Sequence, residues 1–256
     1  MIEDSAFDLG GKVALVTGAS RGIGEAIARS LAAHGAHVVV SSRKADACAR
    51  VVSDIGKAGG NAEAMGCHIG EPSQIAEVMS RIEGAHGRLD ILVNNAATNP
   101  YFGPVVEADL AAFQKTVDVN IRGFFVASCA AAKLMRKNGG GAIVNVASIS
   151  GVVPGPNQGV YSITKAAVIG MTKVFAAECA EMGIRVNAVL PGITETKFTT
   201  ALVEDEALLS HYLEHVPLRR VAQPPEIAGA VLYLVSPASS YTTGVCLPVD
   251  GGYLVK

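Results

Sequence analysis

Tyr161 and Lys165 stand four positions apart (165 − 161 = 4) in VYSITKAAVIGMTKVFAAECAEM, residues 160–182, a proline-free segment whose apolar positions recur at helical spacing. That spacing predicts a helix with both side chains on one face, a turn apart. A free phenol titrates near 10, so about one in a thousand is ionised at pH 7. A fixed ammonium beside it favours the phenolate, and a shift of two to three units corresponds to about 3 to 4 kcal/mol. Tyr161 would then be a workable acid or base near neutrality. A core tyrosine and a surface lysine in an ordinary helix have the same spacing, so the pair needs company. The apolar run GAIVNVAS ends in Ser148, and DVNIRG places Asn120 on the preceding helical segment.

A second constellation lies near the N-terminus. VALVTGASRGIGEAIARSLAAHGAHVVVSSRK is a strand, a glycine turn, a helix and a second strand. Gly18, Gly22 and Gly24 are spaced G-x3-G-x-G, slightly longer than the dinucleotide fingerprint. Glycine lets backbone approach a pyrophosphate, and the helix beginning near Gly22 directs free N–H groups and its dipole at that anion. An NAD site expects a carboxylate at the end of the second strand. No Asp or Glu occurs from Val38 to Ala45; Ser42 is followed by Arg43 and Lys44. Arg21 and Arg43 could converge on a 2′-phosphate, so NADP(H) is expected ahead of NAD. The alternative is that both arginines are solvated surface residues.

These groups need a scaffold. Apolar strand-length runs (KVALVT, AHVVVS, AEAMGC, LDILVNNA, GAIVNVAS, IRVNAVLPG, GVCLPVDGG) alternate with helix-length segments such as Gly22 to His34, Ala45 to Ala58 and Pro72 to His86. Continuously apolar strands are covered on both faces. Strict alternation implies right-handed crossovers and a doubly wound Rossmann α/β fold, a seven-stranded parallel sheet with helices on both faces. No linker-like shift divides residues 1–256, so one domain is expected. A lid-like insert at about 193–225 interrupts the rhythm.

Bulk properties narrow the partners. Half the residues are hydrophobic, 17% are charged and the net charge is -2, which implies a large hidden surface and suits neither nucleic acid nor an anionic membrane. The N-terminal MIEDSAFDLGGK is acidic without an apolar h-region and the chain ends YLVK rather than S-K-L, so a cytoplasmic location is expected. Five cysteines without framework spacing are read as buried small hydrophobes.

TGASRGIG, NNAA (Asn94 to Ala97), Asn120, Ser148 and the Tyr161/Lys165 pair together resemble the short-chain dehydrogenase/reductase family across essentially the whole chain. The resemblance implies that Tyr161 donates a proton to a carbonyl oxygen and Ser148 hydrogen-bonds the same oxygen. Lys165 would bind the nicotinamide ribose and lower the phenol pKa, and Asn120 would hold a water linking Lys165 to solvent. Around the dinucleotide it implies Gly18, Ser20, Arg21, Gly22, Ile23, Gly24, Ser42, Arg43, His68, Ile69, Asn95, Ala96 and Ala97, with Pro191, Gly192, Ile193 and Thr196 toward the nicotinamide carboxamide. Where the family commonly has Asp at the end of the third strand, this chain has His68. It could stack on adenine, bond to it, or merely pack. VVVSSRK, CHIG and NPYFG are most similar to the NADPH-dependent carbonyl reductase branch, which also reduces retinal and ketones. A homotetramer is implied, and a small carbonyl or secondary alcohol as substrate.

Rival readings are a 3-oxoacyl-carrier-protein reductase, docking its acidic carrier on Arg122, Arg136 and Lys137, an NAD-dependent secondary alcohol dehydrogenase, and a non-catalytic NADP-binding regulator. HYLEH, residues 211–215, fits the H-x-x-E-H zinc pattern, but its context suits a lid helix with Leu208, Leu209, Tyr212 and Val216 over the site, so no metal is expected.

Overall fold

A computed structural model describes residues 4–200 and 205–255. Seven parallel strands, β1 (Val13–Thr17), β2 (His37–Ser42), β3 (Asn61–Gly66), β4 (Ile91–Asn94), β5 (Gly141–Val146), β6 (Ile184–Pro191) and β7 (Cys246–Val249), form one sheet in the order β3-β2-β1-β4-β5-β6-β7. The order reverses between β1 and β4, which opens a crevice at the carboxyl ends of those strands. The expected doubly wound fold is therefore present.

Strand periodicity builds two cores. Ala14 and Val16 of β1 and Val38 and Val40 of β2 face α1 (Gly22–Ala33) and α2 (Ala49–Lys57), meeting Ile27, Leu31, Val51 and Ile55. Val13, Leu15 and Val39, one position out of phase, face α3 (Pro72–His86) and pack against Ile75, Val78, Met79 and Ile82. Those four recur at helical spacing, so α3 presents a single apolar stripe. It starts with Pro72 at its first position and stops at Gly87, whose φ of 68° belongs to the left-handed region. Each aliphatic side chain fully buried in either layer contributes about 1.5 to 3 kcal/mol.

Asp90, just before β4, ties the strand bases together. Its carboxylate accepts from the Val13 N–H (2.9 Å) and from Arg88 Nε (2.8 Å), with Lys12 Nζ 3.4 Å away. Burial opposes ionisation here, but the Arg88 hydrogen bonds, the Val13 N–H and the neighbouring cations prevail and hold the carboxyl below its usual range. A depressed carboxylate contributes stability at neutral pH that disappears as pH falls through its folded pKa. Asp90→Ala should therefore cost about 2 kcal/mol, read from urea unfolding at neutral pH, and the deficit relative to wild type should shrink on acidification.

The remaining helices are α4 (Leu110–Val117), α5 (Gly123–Lys137), α6 (Gly159–Cys179), α7 (Glu206–Leu213) and α8 (Pro224–Val235). A π-helical turn, Asp118–Arg122, joins α4 to α5 and carries Asn120. Within the proposed insert, residues 201–204 lie outside the described residues. Around them, Thr196 closes on the glycine turn, Tyr212 stacks on Tyr253 with ring centroids 5.0 Å apart, and Val216 is buried. Leu208, expected to turn inward, is half exposed, because only one side of this short helix meets the body.

Candidate active site

The glycine turn follows β1 at the crevice. Gly18 and Gly22 adopt φ of 65° and 58°, and a Cβ on Gly18 would come 2.8 Å from Ala96 Cα. Gly24 is excluded from any larger side chain differently: its Cβ would lie 2.4 Å from Asn95 Nδ2 and 2.5 Å from Gly18 O. Asn95 is the staple of the turn, donating through Nδ2 to Thr17 O (2.8 Å) and Gly18 O (3.1 Å). Thr17 Oγ1 in turn accepts from the Asn95 and Ala96 N–H groups. Asn94 points the other way, into a buried chain in which its Nδ2 donates to Asn145 Oδ1 (2.9 Å) and Asn145 Nδ2 to Thr172 Oγ1 (2.9 Å). Asn95, expected beside the cofactor, uses its side chain to shape the wall of the turn.

The first turn of α1 has no side-chain cap at Arg21, which leaves N–H groups at the helix start without a capping side chain among the described residues. A helix of 12 residues presenting uncapped amides beside glycines that tolerate no Cβ fits a pyrophosphate. Arg21 and Arg43 are both exposed at this end, with no protein partner among the described residues. Ser42 is engaged locally, donating to Lys44 O at 2.8 Å.

His68 answers how an imidazole occupies the expected Asp position. Its Nδ1 accepts from the Gly70 N–H at 3.1 Å, closing the tight turn that an Asp carboxylate would close. A backbone N–H only donates, so Nδ1 is the accepting ring nitrogen and Nε2 is left for other partners. Ile69 is buried against Gly123 at the start of α5.

At the other side of the crevice, Ser148 caps the turn Ile149–Gly151 by accepting from the Ser150 N–H (3.1 Å). Tyr161 and Lys165 share one face of α6, as their spacing requires, and both are buried. Lys165 Nζ donates to Val146 O at 2.7 Å and lies 5.5 Å from the Tyr161 ring centroid. Phe198, from the segment after β6, stands over the phenol with centroids 5.7 Å apart.

In the free chain, burial dominates at both groups. Burial pushes Tyr161 up to about 12, against the pull of the Ser148 hydrogen bond, and burial pushes Lys165 down to about 7. Desolvation thus favours the neutral form of each group. The Asn120 side chain is committed within the protein. Its Oδ1 accepts from the Thr98 N–H (2.9 Å), and its Nδ2 donates to Thr98 O (3.0 Å) and Thr164 Oγ1 (3.0 Å). Asn120 clamps the loop after β4 to α6.

Beyond β6, Gly192 donates its N–H to Val249 O (3.0 Å), and a Cβ there would meet Asp250 Cα at 2.9 Å. The Ile193 N–H reaches Tyr212 Oη at 3.4 Å, and Thr196 Cγ2 would touch a Cβ on Gly22 at 3.2 Å. Pro191, Gly192, Ile193 and Thr196 thus bridge from β6 to the glycine turn.

In the HYLEH stretch, α7 ends at Leu213 and His215 Nδ1 is bonded to His211 O (3.0 Å). All five cysteines are free and burial raises each thiol, although Cys129 and Cys246 are only half-buried rather than core.

A crevice at a topological switch point, floored by an uncapped helix start and walled by Ser, Tyr and Lys, defines a nucleotide-dependent oxidoreductase. The comparisons agree: residues 18–254 match the family model described as enoyl-(acyl carrier protein) reductase. The chain is 40% identical over 244 residues to dehydrogenase/reductase SDR family member 4 of Oryctolagus cuniculus, covering 95% of this chain and 94% of that protein. It is also 40% identical over 250 residues to a 3-oxoacyl-[acyl-carrier-protein] reductase of Synechocystis sp., covering 95% and 97%. The gluconate 5-dehydrogenase of Burkholderia cenocepacia, solved with NADP and tartrate, superposes with a TM-score of 0.95 at 33% identity over 98% of both chains. The chain belongs to the short-chain dehydrogenase/reductase family and is an NAD(P)-dependent oxidoreductase.

Proposed function

We propose that this protein transfers hydride between NADP(H) and an apolar ketone or aldehyde and the corresponding alcohol, with reduction the better-suited direction. The observation that carries the reading is the convergence of Ser148, Tyr161 and Lys165 beside the glycine-turn crevice. A bound nicotinamide supplies or accepts the hydride. Ser148 and Tyr161 direct hydroxyl donors at the oxygen on which charge develops, and the phenol supplies the proton. With its pKa near 12, Tyr161 stays protonated throughout the neutral range, the form that reduction consumes. Lys165 Nζ lies between Val146 O and the phenol ring, which supports a role in holding a ribose hydroxyl and in returning a proton to Tyr161 after its own has passed to the substrate oxygen.

An apolar substrate is supported by the rim. Val152, Val153 and Phe198 are all about half exposed around the Ser148 turn and the phenol. Such side chains at the mouth of a cleft favour an apolar ligand. The acyl-carrier reading is less well supported, because two of its three docking cations are already neutralised. Arg122 bonds Gly70 O (2.7 Å) and Asp118 (3.0 Å), and Lys137 bonds Glu83 (2.6 Å). A cytoplasmic homotetramer is part of the same proposal.

The absence of a carboxylate at the end of β2, with Arg21 and Arg43 free at the surface, supports NADP(H) over NAD. Charge-assisted pairs of this kind contribute about 1.5 to 3 kcal/mol. Arg43→Ala should accordingly lower kcat/KM for NADPH by about 10-fold to 100-fold and leave that for NADH little changed. Equal use of the two cofactors by the wild type would refute the assignment. A panel of ketones, aldehydes and secondary alcohols, followed by nicotinamide absorbance with each cofactor, tests the substrate class directly.

A further inference from the structure

At the opposite end of the sheet from Tyr161, three side chains from separate elements converge. His37 opens β2, Glu63 lies on the edge strand β3, and His86 is the last residue of α3. His37 and Glu63 face the same layer as Val39, which α3 covers, and this brings the helix end down upon them. His37 Nε2 is 3.2 Å and His86 Nε2 2.6 Å from the same atom, Glu63 Oε1. One ligand atom from each residue lies within 4.8 Å of the others. The two imidazole centroids are 4.5 Å apart.

We propose that His37, Glu63 and His86 form a binding site for a divalent transition cation of the zinc type, separate from the oxidoreductase crevice. Two imidazoles and one carboxylate are a ligand set that zinc accepts, with solvent as the fourth ligand. Ligand atoms about 2.0 to 2.2 Å from a tetrahedral zinc are roughly 3.3 Å apart, close to the His37 to Glu63 separation of 3.2 Å, whereas the His86 to Glu63 contact of 2.6 Å has to lengthen when the ion enters. The side chains are a fifth to a third exposed, enough for an ion and a water to enter. His86 sits at the carboxyl end of α3, where the helix dipole favours a cation. Neither Nδ1 has a protein partner among the described residues, so each ring can shift its proton there and turn an Nε2 lone pair toward the metal. The ion would fasten α3 to β2 and to the unprotected edge strand. Nothing in the local spacing announces the group, because its members are 26 and 23 residues apart in sequence (63 − 37 = 26; 86 − 63 = 23).

The alternative is a cluster held only by its own hydrogen bonds, and zinc separates the two. Tag-free full-length protein, stripped with chelator and titrated with Zn2+ by calorimetry, should bind one ion per chain. At a free concentration near 100 times Kd, the ion should raise Tm by roughly 5 to 10 °C. His86→Gln and Glu63→Gln should each weaken binding by about 100-fold or more and abolish the thermal shift, without loss of turnover. Glu63→Gln preserves side-chain shape and serves if His86→Gln does not fold. A His211→Ala/His215→Ala control should bind as wild type does. Co2+ in place of zinc should give visible d–d absorption that both single variants lose. Absence of saturable binding in the wild type, or zinc binding and thermal shift retained in Glu63→Gln, overturns the site.

Discussion

Tyr161→Phe is expected to lower turnover by about three orders of magnitude while dinucleotide affinity stays within about threefold of wild type. The substitution removes one oxygen and nothing else. The ring keeps its place on α6 and its contact with Phe198, and the glycine turn, Asn95 staple and uncapped start of α1 are untouched. What disappears is the proton that the developing alkoxide requires and one of two donors aimed at it. Ser148→Ala removes the other donor but spares the proton, so a smaller loss, about 100-fold, should follow. Initial rates with saturating cofactor, alongside nicotinamide fluorescence on binding, distinguish lost chemistry from lost affinity. The pH profile offers a second check. Because Tyr161 is held protonated, alcohol oxidation should climb steeply with pH above neutrality, whereas reduction should not require alkali. A Phe variant with near-native kcat would remove Tyr161 from the chemistry and with it the assignment of the crevice.

Much of this arrangement was legible because it is written in short-range patterns. Alternating apolar strands and amphipathic helices dictate the sheet, and the i, i+4 relation alone puts Tyr161 and Lys165 on one face of α6. The electrostatics were not legible. Spacing predicts that an amine acidifies a phenol, but the sign depends on burial, and both groups are packed away from water. Desolvation then dominates and moves each pKa toward its neutral form. The partners of the Asn120 side chain were not legible for a related reason. A π turn depends on an i to i+5 register that composition does not betray, and its orientation commits the amide to Thr98 and Thr164. His68 shows the same limit: only the Gly70 N–H reveals which ring nitrogen accepts.

Lys165→Met should abolish most turnover and at the same time make the free protein more stable near neutral pH. Lys165 is 1% exposed, and among the described residues its ammonium bonds the carbonyl of Val146 and no carboxylate. Burial lowers its pKa from 10.5 to about 7, so the folded chain binds this proton more weakly than the unfolded chain does. Between about pH 7 and 10 the unfolded state carries more protons, and stability rises with pH; below about 7 the full cost of burying the charge is present. A shift of this size corresponds to a cost on the order of 5 kcal/mol. Removing the amine leaves Val146 O without its donor, which returns about 1 to 3 kcal/mol of that gain. The net expectation at pH 7 is a stabilisation of about 2 kcal/mol or more. Urea unfolding at about pH 7 and about pH 9 tests it: the wild type should gain stability over that interval, and the Met variant should lack the part due to Lys165. Equal slopes in the two proteins would mean that the amine is solvated in the free enzyme. If Lys165 serves Tyr161 as proposed, the amine is kept at a net cost to folding, and loss of turnover together with a gain in stability in the Met variant is the signature of that trade.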